Sequence, residues 1–166
     1  MSTPRGSSAY VRGVVDVSIV VPVCFENPLK EEAIDFLSAV LVQEVPAKIP
    51  VTAILGAYHI ATRYIRAPRE AVKNVLSSLL RTRSPAFFPD VSPYLAIEAL
   101  RYAADFHIES WDGYLVALAL FLGTNTIYSL DKELSRVSHV RVVIPFPEDK
   151  IREYHEYISA LRHSPT

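Results

Sequence analysis

The stretch FHIESWDGYLVALALFLGTNTIYSLDK, residues 106–132, predicts a buried helix that leads into a buried strand. Ser110 is a favourable helix N-cap, and residues 115–122 form an almost unbroken apolar run. Gly123 follows this run and suits the left-handed conformation in which many helices end. A helix bounded in this way carries Asp112 in its first turn.

Two further aspartates accompany strands. Residues 126–130 combine β-branched and aromatic side chains, which is typical of a short buried strand, and Asp131 directly follows them. Asp16 interrupts a run of valines and isoleucines near the start of the chain, where an unpaired charge would be costly. Ligands bind at the carboxyl ends of the strands in open α/β sheets, so we expect these aspartates and Asp112 to meet at that edge.

The composition is that of a folded protein with a sizeable core. The chain has 166 residues, 50% of them hydrophobic, which predicts one domain at residues 11–166 after a flexible leader, residues 1–10. A formal net charge of -1 means that any affinity for nucleic acid depends on a local basic patch. Cys24 has no partner for an internal disulfide, and neither a signal peptide nor a membrane-spanning run is evident. A cytoplasmic protein that does not enter membranes is therefore expected.

Strands alternate with helices along the chain. We predict strands at residues 11–15, 45–49, 85–88, 126–130 and 141–144, and further helices at residues 28–41, 51–65, 69–82, 93–106 and from Pro147 onward. Residues 17–24 fit either a continued strand or a short helix, and we favour a strand followed by a short helix. This alternation predicts a parallel sheet with right-handed crossovers and helices on both faces.

The three aspartates also predict a chemistry. Carboxylates that converge without a basic partner repel one another, and a hard divalent cation such as Mg²⁺ or Mn²⁺ removes that repulsion. Such an ion orients water and neutralises phosphoryl oxygens, which favours phosphodiester hydrolysis. Taken singly, Asp112 and Asp131 are also explained as capping residues and Asp16 as the partner of a buried arginine. Their occurrence together favours the metal site.

Three motifs of the chain resemble those of the PIN-domain ribonucleases, which include the VapC-type toxins of prokaryotic toxin-antitoxin pairs. The motifs are VVDVSIVV, SWDGYLVALALFLG and TIYSLDKEL. The resemblance implies a three-layer α/β/α sandwich around a central parallel sheet, with Asp16, Asp112 and Asp131 as catalytic metal ligands. It implies that Ser18 and Ser129 support the first and third of them by hydrogen bonding. It further implies Mg²⁺- or Mn²⁺-dependent cleavage of single-stranded RNA, a homodimer and an antitoxin protein as partner.

One position departs from the family pattern. Its members usually carry a glutamate in the second turn of the long helix, where this chain has Gly56, and residues 51–65 contain no acid. His59 is near the same helical face but is a poor Mg²⁺ ligand, whereas Glu109 is a geometrical substitute. A catalytically weak or silent PIN-like protein, acting as an RNA-binding or protein-interaction module, is therefore the alternative.

RNA contacts are predicted for a basic run on the helices after residue 50. Its members are Arg63, Arg66, Arg69, Lys73, Arg81 and Arg83, opposed only by Glu70. Such a run either follows a phosphate backbone or forms a solvated surface, and we assign Arg63, Arg66 and Lys73 to RNA. Three tyrosines either stack on unpaired bases or pack in the core, namely Tyr58, Tyr64 and Tyr94.

Phosphatase and phospho-acceptor domains also carry an aspartate after the first strand. The phosphatase pattern needs a second aspartate where this chain has Ser18, and the acceptor pattern needs an acidic pair where it has Val14 and Val15. Gly6 and Gly13 are isolated, so a phosphate-binding glycine loop is not formed. These classes are disfavoured.

Overall fold

A parallel sheet of five short strands forms the centre of the fold. The computed structural model describes residues 10–164, so the predicted leader lies almost entirely outside the described residues. The strands are β1 (Gly13–Val15), β2 (Ala47–Pro50), β3 (Phe87–Phe88), β4 (Thr126–Tyr128) and β5 (Arg141–Val143). They pair in the order β3-β2-β1-β4-β5, and every pair is parallel. The chain leaves β1 toward β2 and later returns to its other side with β4, which makes the carboxyl end of β1 a topological switch point.

The helices alternate with these strands. They are α1 (Val17–Val20), α2 (Lys30–Leu41), α3 (Val51–Arg63), α4 (Arg69–Arg81), α5 (Pro93–Phe106), α6 (Ser110–Phe121) and α7 (Glu148–His163). Short 3₁₀ helices follow α1 at Val21–Cys24 and β4 at Lys132–Arg136. No helix within residues 10–164 is both long and apolar enough to cross a membrane.

The two faces of the sheet bury separate apolar cores. Val15 points into a core shared with α2, α3, α4 and α7, whereas its neighbour Val14 points into a core with α5 and α6. Both valines are fully buried, because successive side chains of a strand point to opposite faces. The predicted three-layer α/β/α sandwich with a central parallel sheet is confirmed.

Most predicted elements are present, with shifted ends. The N-cap of α6 is Glu109 rather than the predicted Ser110, because the first helical hydrogen bond runs from the Gly113 N–H to the Glu109 carbonyl. Helix α2 begins two residues later than predicted, after a turn in which the Asn27 side chain accepts from the Leu29 N–H at 2.9 Å. Residues 17–24 are helical, as favoured.

Helix α6 and strand β4, which precede parts of the candidate site, both end at sharply defined residues. Gly123 has the predicted left-handed conformation, with φ of 76°, and α6 stops before it. Strand β4 ends at Tyr128, two residues before the predicted end. The Ser129 N–H still donates to the Val143 carbonyl of β5, whereas the Ser129 hydroxyl and the Leu130 N–H form hydrogen bonds to Asp16 and Ser18, just after β1.

Helix α7 closes the Val15 side of the sheet. The spacing of Ile151, Tyr154, Ile158 and Leu161 puts them on one face of the helix. Tyr154 is buried, and Ile151 and Ile158 pack against the same core. Leu161 is the exception at 39% exposure, because the last turn of α7 extends past the core.

Candidate active site

A cleft of about 840 Å³ lies at the carboxyl ends of β1 and β4. Its walls come from opposite layers: α3 belongs to the layer on the Val15 side of the sheet, and α6 to the layer on the Val14 side. Asp16 follows β1, Asp131 follows β4, and Asp112 lies in the first turn of α6. All three predicted catalytic aspartates line this one cleft.

Asp16 is buried and firmly oriented. Its Oδ1 accepts a hydrogen bond from the Val17 N–H at 2.7 Å, and its Oδ2 accepts from the hydroxyls of Ser18 and Ser129, each at 2.7 Å. Burial raises the pKa of the Asp16 carboxyl, while these hydrogen bonds oppose the rise. Three donors on one side chain leave it little rotational freedom.

The family resemblance implies that Ser18 supports Asp16 and that Ser129 supports Asp131. The hydrogen bonds of the two serines are not divided in this way. Both hydroxyls donate to Asp16, and Ser129 reaches Asp131 only by accepting from its backbone N–H at 2.9 Å. Ser18 likewise accepts from the Leu130 N–H at 2.9 Å. The serines therefore connect the loops after β1 and β4, and they hold the backbone of Asp131 beside the Asp16 carboxylate.

Asp112 combines partial burial with several acidic neighbours. Burial, followed by the charges of Asp16, Asp131, Glu109 and Glu133, raises the pKa of its carboxyl to about 7. No donor within residues 10–164 forms a hydrogen bond to it. A half-buried carboxylate without a donor is destabilised in its charged form, which is the state that a cation would stabilise.

Glu109 and Glu133 complete a set of five acidic residues in the cleft. Glu109 was considered from the sequence as a substitute for the missing family glutamate, but Glu133 was not considered. Its signal was its position two residues after Asp131, whose Oδ1 accepts from the Glu133 N–H at 2.8 Å. Among residues 10–164, no lysine or arginine lines the cleft.

This donor set fits a hard divalent cation. In the part of the chain that the structure describes, no three acidic, histidine or cysteine side chains are already grouped for a metal ion. The charges of the neighbouring acids nevertheless add to burial in raising the pKa of Asp112, and a cation between the carboxylates replaces that repulsion with attraction. Oxygen ligands without a basic partner suit Mg²⁺ or Mn²⁺, and Asp16, Asp112 and Asp131 are the residues that would hold the ion.

Gly56 and His59 lie on the α3 wall of the cleft. A Cβ at Gly56 would be 3.2 Å from Cγ2 of Val17, so a side chain there is close to the residue after Asp16. An added Cβ at this position needs a shift of a few tenths of an ångström in the Val17 side chain. His59 packs edge-on against Tyr64, with ring centroids 5.7 Å apart.

The predicted RNA-binding cations are not among the residues that line the cleft. Arg63 is in the last turn of α3, Arg66 is in the following turn with φ of 61°, and Lys73 pairs with Glu70 on the surface of α4. Exposed pairs of this kind contribute little to stability. The structure therefore does not bring these cations to the carboxylates.

The three predicted stacking tyrosines have different positions. Tyr64 lines the cleft, Tyr58 packs against the core on the Val15 side, and Tyr94 is exposed on α5. Trp111 also lines the cleft, directly before Asp112, and sequence reasoning missed it. Trp111 precedes the apolar run of α6, so the hydrophobic pattern of the helix indicates no role for it.

No family model matches the chain, and no curated protein matches it significantly.

Asp112→Asn is expected to stabilise the metal-free protein at pH 8 and to have little effect at pH 4. The Asp112 pKa is about 7 in the fold against an ordinary 3.8, so between these values the unfolded chain releases its proton first and the free energy of unfolding falls as pH rises. Above pH 7 Asp112 is charged in both states, and this charge destabilises the folded state by at most about 4 kcal/mol. Partial exposure and the lost helix N-terminal charge reduce the expected gain to about 2 kcal/mol.

Thermal unfolding in EDTA at the two pH values measures this gain, which corresponds to a rise of about 5 °C in Tm at pH 8. Asp105→Asn, an exposed aspartate on α5 outside the cleft, is the matched control. Equal effects of Asp112→Asn at pH 4 and pH 8 would contradict the electrostatic origin of the penalty.

Proposed function

We propose that this protein is a Mg²⁺- or Mn²⁺-dependent endoribonuclease of the PIN-domain type that cleaves single-stranded RNA. One observation carries the proposal: the aspartates of three separate motifs, Asp16, Asp112 and Asp131, line a single cleft at the switch point of a parallel sheet. The family resemblance assigns metal binding to these same residues. A toxin role, a homodimer and an antitoxin partner in the cytoplasm are part of the proposal through that resemblance alone.

The chain's own residues divide the work of such a site. Asp16 supplies a fixed carboxylate, because Ser18 and Ser129 hold its Oδ2. Asp112 and Asp131 supply further charge, and a nearby cation favours the charged form of Asp112, whose pKa is raised to about 7. A bound divalent ion supplies charge neutralisation at the phosphoryl group and activation of water.

The acidic lining also makes RNA binding dependent on the cation. Five carboxylates repel a phosphate backbone, and none of the lysines and arginines of residues 10–164 lines the cleft to offset them. Binding of single-stranded RNA at the cleft is therefore expected to need Mg²⁺ or Mn²⁺, and to fail in EDTA.

Cleavage of an end-labelled single-stranded RNA, followed with Mg²⁺, with Mn²⁺ and with EDTA, tests the proposal. We expect hydrolysis with either ion, none with EDTA, and little on a duplex of the same sequence. Hydrolysis that persists in EDTA would point to another mechanism or to a contaminant.

Gly56 favours the second candidate, a non-catalytic RNA-binding or protein-interaction module. The position lies in the cleft beside Val17, where the family's additional acid would add a ligand. Three aspartates without it bind an ion more weakly, because affinity for hard cations increases with the number of carboxylates.

Gly56→Glu is expected to increase cleavage by about 10-fold at limiting Mn²⁺, the scale on which a supporting ligand affects metal sites. Gly56→Ala is the matched control, since it makes the same contact with Val17 but adds no carboxylate. Both variants are assayed across a Mn²⁺ titration. If the glutamate and alanine variants have the same rate, the missing acid does not limit activity.

A further inference from the structure

The walls of the cleft carry exposed apolar and aromatic side chains above the acidic floor. On the α6 wall, Trp111 is 61% exposed and directly precedes Asp112. On the α3 wall, Tyr64 is 59% exposed and contacts His59 edge-on, and Leu55 is 67% exposed. All of these line the same cleft. Exposed aromatic residues gathered in a cleft are a common feature of ligand-binding sites.

The position of these side chains follows from the fold. Trp111 is in the first turn of α6 in one layer, and Tyr64 follows the last turn of α3 in the other. The edge of the sheet, with Asp16 and Asp131, lies between the two layers. The cleft therefore has an aromatic residue on each side of an acidic floor.

This distribution of charge selects the chemistry of a ligand. Anionic groups are repelled by the floor unless a cation is bound, but a neutral planar ring is not repelled and gains contact with the aromatic walls. An unpaired nucleotide combines a neutral planar ring with an anionic group. Its base suits the aromatic walls, and its phosphate suits a cation held by the carboxylates. A base inside a duplex has both faces covered and offers neither face to such a wall.

We propose that Trp111 and Tyr64 form a stacking subsite for an unpaired nucleobase, adjacent to the carboxylates. The subsite deepens the proposed function and rests on it, because it selects single-stranded RNA and positions the neighbouring phosphate at the metal ligands. Trp111 directly precedes Asp112 in the chain and lines the same cleft as the three aspartates.

Trp111 is the single tryptophan of the chain, so its fluorescence reports the subsite directly. The first probe is adenosine, which has no phosphate and needs no cation, added to the wild-type protein in EDTA. We expect saturable quenching, because stacking on indole quenches its emission. Tyr64→Ala is expected to weaken adenosine binding roughly 10-fold, the usual effect of removing a stacking aromatic residue.

The second probe is labelled oligoadenylate, measured by fluorescence anisotropy with Ca²⁺ present. Trp111→Ala is expected to weaken this binding roughly 10-fold, and Trp111→Phe to weaken it less. Phe121→Ala is the matched control and is expected to bind as wild type, because Phe121 is on the same helix at 59% exposure but outside the cleft lining. Thermal unfolding verifies that each variant is folded.

The outcomes separate the subsite from the nuclease. Quenching and selective loss of binding in Trp111→Ala support the subsite even if no RNA is cleaved, in which case the nuclease proposal fails alone. Cleavage that is unchanged in Trp111→Ala and Tyr64→Ala overturns the subsite and leaves the nuclease intact. Absent quenching, or equal loss in Phe121→Ala, overturns it as well. If Trp111→Ala instead dissociates a dimer, the aromatic walls bind a second copy of the chain and the subsite is overturned.

Discussion

Asp16→Asn is expected to fold normally and to cleave RNA about 1,000-fold more slowly than the wild-type protein, the scale on which loss of a charge-stabilising catalytic group acts. Asparagine has the shape of aspartate but no charge, so it removes the fixed carboxylate that would bind the cation. Asparagine keeps a single accepting oxygen, so either the serine hydroxyls or the Val17 N–H loses its acceptor, and removing a charge that burial destabilises offsets that loss. The expected change in stability is therefore small, below about 1 kcal/mol.

Single-turnover cleavage of a labelled single-stranded RNA at saturating Mn²⁺ measures this loss, beside a Tm for each protein. Ser129→Ala is the companion variant, because Ser129 acts through Asp16 as a positioning residue. We expect it to lower the rate about 10-fold with little change in the RNA affinity, the scale seen for residues that orient a metal ligand. If purified Asp16→Asn is as active as the wild type, the Asp16 carboxylate takes no part in cleavage.

The layered fold is predictable from the sequence because its signals are local and repeated. Most long helices have a proline or a capping residue at or just before their start, such as Ser92, whose hydroxyl accepts from the Leu95 N–H at 3.2 Å, and α6, which begins after Glu109, is the exception. The strands are short and apolar, and their alternation with helices leaves few topologies once crossovers are right-handed. The three aspartates are predictable for the same reason, since each directly follows or opens one of these elements.

The other residues that line or support the cleft are placed by long-range contacts. Local sequence patterns do not encode these contacts. Glu133 belongs to a charged stretch that suits a solvated surface, and it lines the cleft because the 3₁₀ helix after β4 begins at the Asp131 cap. Ser129 supports Asp16 instead of the Asp131 side chain because β4 ends at Tyr128, which brings the serine to the loop after β1. These positions depend on residues more than a hundred apart in the chain.

The RNA contacts predicted for Arg63, Arg66 and Lys73 of the basic run stay a prediction, although none of these residues lines the cleft. Clustered cations on α3 and α4 suggested contact with the substrate, but charge patterns along a helix do not specify which cleft the charged face borders. Lys73 pairs with its neighbour Glu70, and the α3 residues that reach the cleft are Gly56, His59 and others of apolar or neutral type. The α3 side of the acidic cleft is thus lined by aromatic, apolar and neutral residues, and the basic run lies outside that lining.

Gly113→Ala is expected to destabilise the protein by about 3 kcal/mol, at the upper end of the cost of overpacking. A Cβ at this position would be 2.2 Å from the carbonyl oxygen of Ala99 and 3.2 Å from the backbone nitrogen of Ala103. Both atoms belong to the backbone of α5 and cannot rotate away, so α5 and α6 must separate. Separation opens the core around Leu118, which is fully buried. The expected fall in Tm is about 10 °C.

Gly123→Ala is the matched control, because it changes the other glycine of this helix region for a different physical reason. Gly123 has φ of 76° and no atom within 4 Å of an added Cβ, so alanine costs only about 1 kcal/mol of backbone strain. Since Asp112 adjoins Gly113, separating the helices is also expected to expose its carboxylate and lower its pKa toward 3.8, which weakens the pH dependence of stability. Equal losses of Tm in the two variants would mean that close packing of α5 against α6 does not determine the position of Asp112.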